Sequence, residues 1–248
     1  MPLPRLLVIA KAPVAGRSKT RLCPPCSPDQ AAELAEAALV DTLDAVLRTE
    51  CGGRTIVLEG SPGDWLPEGF DIIPQVGGGL GDRLAAAFTQ IGGPALLIGM
   101  DTPQVDPDLL GDSLARMDGP DETVLGLCPD GGYWAIGMNE SHPEAFEGVP
   151  MSTDRTGEVQ LERLGELGLS VGLLPEISDI DYFEDARRVA AEYPDGEFES
   201  AVRLMASSPI NRPHACDGKV TDAQMAEKLV FMAHQGKVTL REKFPVAG

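Results

Sequence analysis

The sequence predicts an α/β fold in which a mostly parallel sheet is flanked by helices on both faces. Short apolar runs of strand length alternate with segments in which apolar residues recur at helical spacing, and this alternation is typical of parallel sheets. Of the 248 residues, 43% are hydrophobic and 24% are charged, which is an ordinary balance for a globular protein. We therefore expect one large domain over residues 1–206 and a small helical appendage over residues 207–248.

The first half of the chain is predicted to contain four strands and three helices. Residues 5–10 are apolar and of strand length, and the next apolar residues recur at helical spacing over 31–47, after Ser27 as a helix cap. Asp106, directly before Pro107, is the best candidate to cap the third helix. The other elements predicted here are strands 55–58, 71–74 and 94–99 and helices 82–91 and 107–117.

The second half is predicted to contain three strands, two helices and the appendage. The strands are 122–127, 133–138 and 171–174, and the helices are 155–167 and 182–193. Pro209, Pro213 and Gly218 then interrupt the chain. We expect the appendage to hold a helix over 221–234 and a strand over 237–244, and to pack on the core or on a partner subunit in a homodimer.

The distribution of charge argues for a small anionic ligand. The formal net charge of −19 disfavours nucleic acid and anionic membranes as partners. No apolar run approaches the ~20 residues of a membrane span, and the first apolar stretch is shorter than that of a signal peptide, so we expect a cytoplasmic protein. Five basic residues nevertheless precede the first acidic residue, Asp29. A fluctuation of surface charge is the alternative.

The cysteines do not indicate a disulfide framework, because their number, five, is odd. Cys23 and Cys26 enclose two prolines and have the spacing of a redox or zinc pair. No second pair and no nearby histidine completes a zinc site. We interpret this segment as a proline-rich turn.

The basic loop, residues 11–22, follows the first strand and has the composition of a phosphate-binding segment. Gly16 allows the backbone to approach a ligand, and lysine and arginine side chains hold phosphate oxygens. No acidic residue lies within the loop, so we expect its cations to be unpaired unless an anion binds. A lattice of surface salt bridges is the alternative. The four cations are Lys11, Arg17, Lys19 and Arg21.

Aspartates follow other strands at the edge where parallel sheets bind ligands. Asp101 comes directly after a buried strand and is well placed to bind Mg²⁺ or Mn²⁺, since hard cations prefer carboxylate oxygens. Asp130 precedes Gly131 and Gly132, which allow a tight turn and a close approach to a substrate. Taken alone, an ordinary hairpin turn explains that segment better.

Two further segments leave alternatives open. Asp179 and Asp181 alternate on one face of an extended segment, as a metal site of paired carboxylates requires; charge that favours the dipole of the next helix explains them equally well. Ser152 and Thr153 are helix-cap residues or ligand contacts. The three histidines lie in none of these segments, so Ser-His-Asp or Cys-His catalysis is not expected. Metal-assisted phosphate chemistry fits better.

Six segments in order resemble one family: AKAPVAGRSKTRL, GGLGDR, IGMDTP, PDGGYWAIG, ST and SDIDYFED. They resemble the rSAM/selenodomain-associated transferase 1 family, whose members are often called glycosyltransferases of arsenosugar biosynthesis. That family belongs to the nucleotide-diphospho-sugar transferase superfamily, with a GT-A-like (Rossmann-like) fold. The KTRL segment is also similar to 2-phospholactate guanylyltransferase. The resemblance covers about residues 5–195. This chain has Met151 where the family usually has tryptophan.

The resemblance implies a role for each group of residues. Asp101 and Asp130 face the donor and the metal, and Asp181 completes the metal shell. The catalytic residues are Asp101, Asp130 and Lys19. The residues expected at the donor phosphates and nucleotide are Lys11, Gly16, Arg17, Lys19, Arg21, Gln75, Gly81 and Arg83. Those expected at the acceptor are Gly131, Gly132, Tyr133, Ser152 and Thr153.

These features predict a transferase that depends on Mg²⁺ or Mn²⁺ and uses a nucleoside phosphate donor. Because a triphosphate carries more charge than a sugar-linked diphosphate, the basic loop favours a nucleotidyltransferase that acts on a small anionic acceptor and releases pyrophosphate. A glycosyltransferase with a nucleoside diphosphate sugar as donor is the alternative. A non-catalytic nucleotide-binding protein is a second alternative.

Overall fold

A computed structural model describes residues 3–119 and 122–207. They form one seven-stranded sheet and six α helices, which confirms the predicted α/β class. The strands are β1 (Arg5–Lys11), β2 (Arg54–Glu59), β3 (Asp71–Pro74), β4 (Ala95–Gly99), β5 (Thr123–Leu127), β6 (Tyr133–Met138) and β7 (Val171–Leu174). The helices are α1 (Pro28–Arg48), α2 (Leu80–Ile91), α3 (Pro107–Met117), α4 (Thr156–Glu166), α5 (Phe183–Glu192) and α6 (Glu197–Ser207). Thr20–Leu22 and Pro143–Phe146 are 3₁₀ turns.

The sheet has the strand order β3-β2-β1-β4-β6-β5-β7. All neighbouring strands are parallel except β6, which runs antiparallel to both β4 and β5. The carboxyl ends of six strands and the start of β6 therefore meet at one edge. This is the edge at which ligands bind in sheets of this kind.

Buried side chains cover both faces of the sheet. On β1, Leu6 and Val8 belong to a core that includes Leu39 of α1, whereas Leu7 belongs to the opposite core with Phe88 of α2. This alternation is expected because successive side chains of a strand point to opposite faces. Both faces are apolar, and the helices lie on both sides as predicted.

A third buried cluster joins the basic loop to the segment after β7. Leu22, at the end of the loop, packs with Ile180 and with Phe183 of α5. Leu22 is completely buried and Ile180 is 1% exposed. This packing brings the basic loop beside Asp179 and Asp181, although about 160 residues separate them in sequence.

The capping prediction for α3 is confirmed, and it provides a test of local stability. The Asp106 side chain accepts a hydrogen bond from the backbone N–H of Leu109 at 2.7 Å. We expect Asp106→Ala to lower the free energy of unfolding by about 1 kcal/mol, and Tm by about 2–4 °C, because a backbone donor loses its partner. Thermal unfolding measures the change. Asp108→Ala, in the same helical turn, removes a charge but no cap; an equal loss in both variants would contradict the prediction.

The structure contains one helix that the sequence analysis missed, α6. The predicted turn at Cys23 and Cys26 is present, and both cysteines are free. The predicted domain boundary, the appendage over 207–248, its helix 221–234 and its strand 237–244 are not tested, because all but Ser207 lie outside the described residues. Among the described residues, no helix is long and apolar enough to cross a membrane.

Candidate active site

A cavity of about 550 Å³ opens at the carboxyl edge of the sheet and is called the strand-end cavity below. Its lining combines apolar and acidic side chains. The apolar lining residues include Ile9, Leu80, Leu84, Leu97 and Met151. The acidic lining residues are Asp101, Asp130, Asp154, Asp179 and Asp181. The only cationic side chain among the described lining residues is Arg21.

Three of these carboxylates form a compact group, the acidic triad of Asp130, Asp179 and Asp181. One oxygen from each lies within 4.8 Å of the others. Asp130 comes from the β5–β6 turn, where it accepts a hydrogen bond from the backbone N–H of Gly132 at 2.9 Å. Asp179 and Asp181 come from the segment after β7. The sheet topology thus assembles the triad from two distant segments of the chain.

Lys19 lies between two of the carboxylates. Its Nζ is 3.0 Å from Asp101 Oδ2 and 3.7 Å from Asp179 Oδ1, and it donates a hydrogen bond to the carbonyl of Ile180. The Lys19 side chain is 11% exposed. Its backbone is left-handed, with φ 47° and ψ 41°. Asp101, which we predicted at the metal, has an ammonium partner and is not one of the three carboxylates of the acidic triad; its predicted contact with a metal stays a prediction.

Burial and charge act in opposite directions on this ion-pair cluster. Burial alone would lower the pKa of Lys19, but the negative charges of Asp101, Asp179 and Asp181 outweigh it, so the pKa lies above its usual value. Burial raises the pKa of Asp179; Lys19 counteracts this rise, and Asp101 adds to it. Lys19 is therefore firmly protonated at neutral pH.

Arg21 forms the second cationic contact of the strand-end cavity. Its Nη1 lies 2.7 Å from Asp181 Oδ2, and this hydrogen bond raises the pKa of Arg21. The Arg21 side chain is 62% exposed. Unlike Lys19, it can turn towards a ligand without leaving a buried site.

A second cationic cluster, next to the ends of β1 and β2, is organised by Glu59. Lys11 Nζ lies 3.4 Å and Arg83 Nη1 2.6 Å from Glu59 Oε2. Burial would raise the pKa of Glu59, but the two cations outweigh it and lower the pKa. Neither cation lines the strand-end cavity.

The side chain of Gln75 is occupied by protein contacts. Its Nε2 donates to the carbonyls of Ala10 at 2.8 Å and Val57 at 3.0 Å, and its Oε1 accepts from Arg83 at 3.1 Å. Gln75 ties the ends of β1 and β2 together. It does not line the strand-end cavity, and its predicted contact with the nucleotide stays a prediction.

The other residues predicted at the donor differ in accessibility. Arg17 is exposed and has no ion-pair partner among the described residues. Gly16 has φ 75°, and nothing lies within 4 Å of a Cβ placed on it. Gly81 lies in the first turn of α2, close to Phe146 and Met151.

The structure corrects the expectation that the cations of the basic loop are unpaired. Lys11, Lys19 and Arg21 all have carboxylate partners, which come from segments 48 to 160 residues away in sequence. The absence of acids within the loop did not exclude salt bridges because long-range contacts supply them. Salt bridges therefore pair three of the four cations, and the predicted contacts of these cations with the donor phosphates stay predictions.

Two closely packed loops carry four of the predicted acceptor residues, Gly131, Gly132, Ser152 and Thr153. A Cβ on Gly131, whose φ is +93°, would lie 1.9 Å from the carbonyl oxygen of Asp154. The backbone N–H of Gly157 donates to the Gly131 carbonyl at 2.7 Å. Close backbone packing thus places Asp130 beside the loop that carries Ser152 and Thr153, and both of these hydroxyl residues line the cavity.

Tyr133 links the same region to the core. Its hydroxyl lies 3.2 Å from Gln160 Oε1 and 3.8 Å from Met151 Sδ. Gln160 is completely buried, and burial raises the pKa of Tyr133. Tyr133 therefore faces the cavity as a neutral phenol in a fixed position.

The sequence analysis missed Asp154 as a site residue. Asp154 lines the strand-end cavity, and its carboxylate has no ion-pair or hydrogen-bond partner among the described residues. The sequence feature that could have identified Asp154 is its position next to Ser152 and Thr153, two of the predicted acceptor residues. It was overlooked because an aspartate before a helix is ordinarily read as helix-terminal charge.

Residues 33–153 match the model of a family described as "Uncharacterized protein conserved in bacteria (DUF2064)". The whole fold is similar to that of a candidate nucleotide-diphospho-sugar transferase from Desulfovibrio desulfuricans G20. That chain is 21% identical, the TM-score is 0.70, and the alignment covers 94% of this chain and 98% of that one. The chain shares the fold of that structure. The resemblance to this superfamily, inferred from the sequence motifs, is confirmed at the level of the fold.

Other structures with this fold are more distant. A nucleotidyl transferase from Methanothermobacter thermautotroptrophicus is 14% identical, with a TM-score of 0.52, over 81% of this chain and 99% of that one. A 4-diphosphocytidyl-2C-methyl-D-erythritol synthase from Anaerococcus prevotii DSM 20548 is 10% identical, with a TM-score of 0.51, over 82% and 96%. These neighbours share the fold of this chain. No curated protein matches the sequence of this chain.

Proposed function

We propose that this chain is a divalent-metal-dependent transferase whose nucleoside phosphate donor binds at the strand-end cavity. The observation that carries the proposal is the charge of the cavity. Five carboxylates line it, but among the described residues only two cationic side chains, Lys19 and Arg21, reach them. An anionic donor would be repelled from such a surface without additional positive charge. A divalent cation supplies that charge.

The acidic triad fits such a cation. Its three donors are carboxylate oxygens, which Mg²⁺ and Mn²⁺ prefer, and they come within 4.8 Å of one another. Asp130, Asp179 and Asp181 would hold the ion, with Asp101 next to them. When bound, the metal neutralises charge on the donor phosphates and on the leaving group. The protein's own residues position the donor and the acceptor.

The acceptor side of the cavity favours a neutral, hydroxyl-rich group. It presents the hydroxyls of Ser152 and Thr153 and the carboxylate of Asp154, with no cationic lining residue on these loops. Carboxylates and hydroxyls hydrogen-bond to sugar hydroxyls but disfavour a second anion. We therefore place glycosyl transfer from a nucleoside diphosphate sugar first, and the fold similarity to a candidate nucleotide-diphospho-sugar transferase supports this choice.

Nucleotidyl transfer with release of pyrophosphate is the second candidate. The argument for it from an unpaired basic loop is weakened, because three of the four cations have acid partners. One observation still favours it: Arg17 and Lys11 are exposed at the same edge of the sheet and could hold a third phosphate. A fold neighbour named as a nucleotidyl transferase supports it as well.

A product assay separates the candidates. The protein is incubated with Mg²⁺ or Mn²⁺, each nucleoside triphosphate or nucleoside diphosphate sugar, and a panel of sugar, polyol and anionic acceptors. Release of nucleoside diphosphate from a sugar donor supports glycosyl transfer, and pyrophosphate release from a triphosphate supports nucleotidyl transfer. Metal-dependent binding with neither product would favour the non-catalytic alternative. The cytoplasmic location and the homodimer stay predictions.

Asp154 is the residue of this proposal that should report on the acceptor. Because its carboxylate is free and lies beside Ser152 and Thr153, we expect it to accept a hydrogen bond from an acceptor hydroxyl. Asp154→Asn should raise the acceptor KM by about tenfold, the cost of one charge-assisted hydrogen bond. Steady-state kinetics with a varied acceptor measure the change. The donor KM serves as the internal control, and an equal rise in both constants would count against an acceptor role.

A further inference from the structure

The Lys19 ammonium group is surrounded by protein oxygens. It donates a hydrogen bond to the Ile180 carbonyl and forms ion pairs with Asp101 at 3.0 Å and with Asp179 at 3.7 Å. The side chain is only 11% exposed and does not line the strand-end cavity. A donor phosphate in that cavity would reach the ammonium group only if these contacts rearranged in a buried site.

We infer that Lys19 is a positioning residue that holds Asp101 and Asp179 side by side as their internal counter-ion, and that it is not a ligand of the donor phosphates. This inference rests on the proposed function only in its choice of probes. It differs from the role that the sequence motif implied for Lys19. The cations left to contact phosphate oxygens are then Arg21 and the exposed members of the basic loop.

The surroundings of Lys19 explain why a counter-ion is needed. Asp101 and Asp179 are each about two-thirds buried, and two carboxylates that share a site repel each other. Lys19 bridges them, and its bond to the Ile180 carbonyl fixes the segment after β7 to the basic loop. The burial of Leu22 and Ile180 in one apolar cluster holds both segments in place. Lys19 is therefore held by packing from both sides.

Removal of the Lys19 charge should strengthen the binding of a divalent cation to the acidic triad. Lys19 places a positive charge next to the acidic triad, so it repels a divalent cation there. Lys19→Met keeps much of the apolar stem but removes that charge. We expect Mn²⁺ alone, without nucleotide, to bind about tenfold more tightly to this variant. At saturating Mg²⁺, inorganic pyrophosphate should bind with an affinity within about twofold of the unsubstituted protein, because no phosphate contact is lost.

Two variants serve as matched controls in calorimetric titrations of the full chain. Lys19→Arg keeps the positive charge and should leave the affinity for Mn²⁺ within about twofold. Arg48→Met removes an exposed cation that pairs with Asp44 on α1 and does not line the cavity, and it should also leave the affinity for Mn²⁺ unchanged. A tenfold or larger loss of pyrophosphate affinity in Lys19→Met alone would overturn the inference in favour of a phosphate ligand. Unchanged Mn²⁺ affinity in Lys19→Met would overturn it as well.

A stability measurement keeps this inference separate from the proposed function. If the unsubstituted protein binds no Mn²⁺, the metal-dependent function fails, but the ion pair can still be tested. We expect a double-mutant cycle of Lys19→Met with Asp179→Asn to be non-additive in the free energy of unfolding, because each partner depends on the other. Additive effects would refute the counter-ion role. If Lys19→Met does not fold, the cycle is run with Lys19→Gln.

Discussion

Replacing Asp130 by asparagine is expected to lower the turnover of the proposed transferase by about 1,000-fold without loss of the fold. Asp130 is exposed, and its carboxylate contacts only the backbone N–H of Gly132 in its own turn. It has no cationic partner among the described residues, so its charge is free to act on a metal. The amide keeps the shape of the side chain but removes this charge. Steady-state turnover at saturating donor and metal measures the effect.

Asp64→Asn is the matched control for this prediction. Asp64 is exposed, has no ion pair among the described residues and does not line the strand-end cavity, so turnover should stay unchanged. Both variants should unfold within about 2 °C of the unsubstituted protein, since an exposed carboxylate contributes little to stability. If Asp130→Asn retained turnover within threefold, the acidic triad could not be the metal site.

The strands were predictable from the sequence because each is a short apolar run in a chain of otherwise mixed polarity. β4 and β6 are buried along almost their whole length, and such strands appear in sequence without interruption. Helix α6 was missed for a physical reason: its start depends on a distant residue. Both oxygens of Asp41, on α1, accept hydrogen bonds from the backbone N–H groups of Glu197 and Phe198. A cap located more than 150 residues away leaves no local signal.

The candidate site was predictable to a similar degree. The rule that ligands bind at the carboxyl ends of strands selected Asp101 and Asp130, and the family resemblance implied Asp181; all three line one cavity. The partners of the cations were not predictable, because Lys19 and Arg21 pair with residues that only the folded sheet brings close. Asp179 had been left with two alternative roles. The fold places it in the acidic triad, which sequence spacing alone could not do.

Gly131→Ala is expected to be the most destabilising single substitution at the site, at a cost of about 3 kcal/mol in the free energy of unfolding. The new Cβ would meet the carbonyl oxygen of Asp154 at 1.9 Å. An alanine also disfavours the left-handed backbone that Gly131 adopts at φ +93°. Relief of the clash requires the loops to separate, which would break the bond from Gly157 to the Gly131 carbonyl. Denaturant unfolding measures the cost, and turnover should fall because Asp130 and Asp154 both move.

Gly148→Ala separates the steric clash from the backbone strain. Gly148 also has a positive φ, +78°, but nothing lies within 4 Å of a Cβ at this position. Its substitution should therefore cost only about 1 kcal/mol, the strain of a left-handed alanine. The difference between the two variants isolates the contact between the loop of Asp130 and the loop of Asp154. Equal losses in Gly131→Ala and Gly148→Ala would mean that this contact does not hold the two loops together, and that another interaction sets the distance between the acidic triad and the acceptor side.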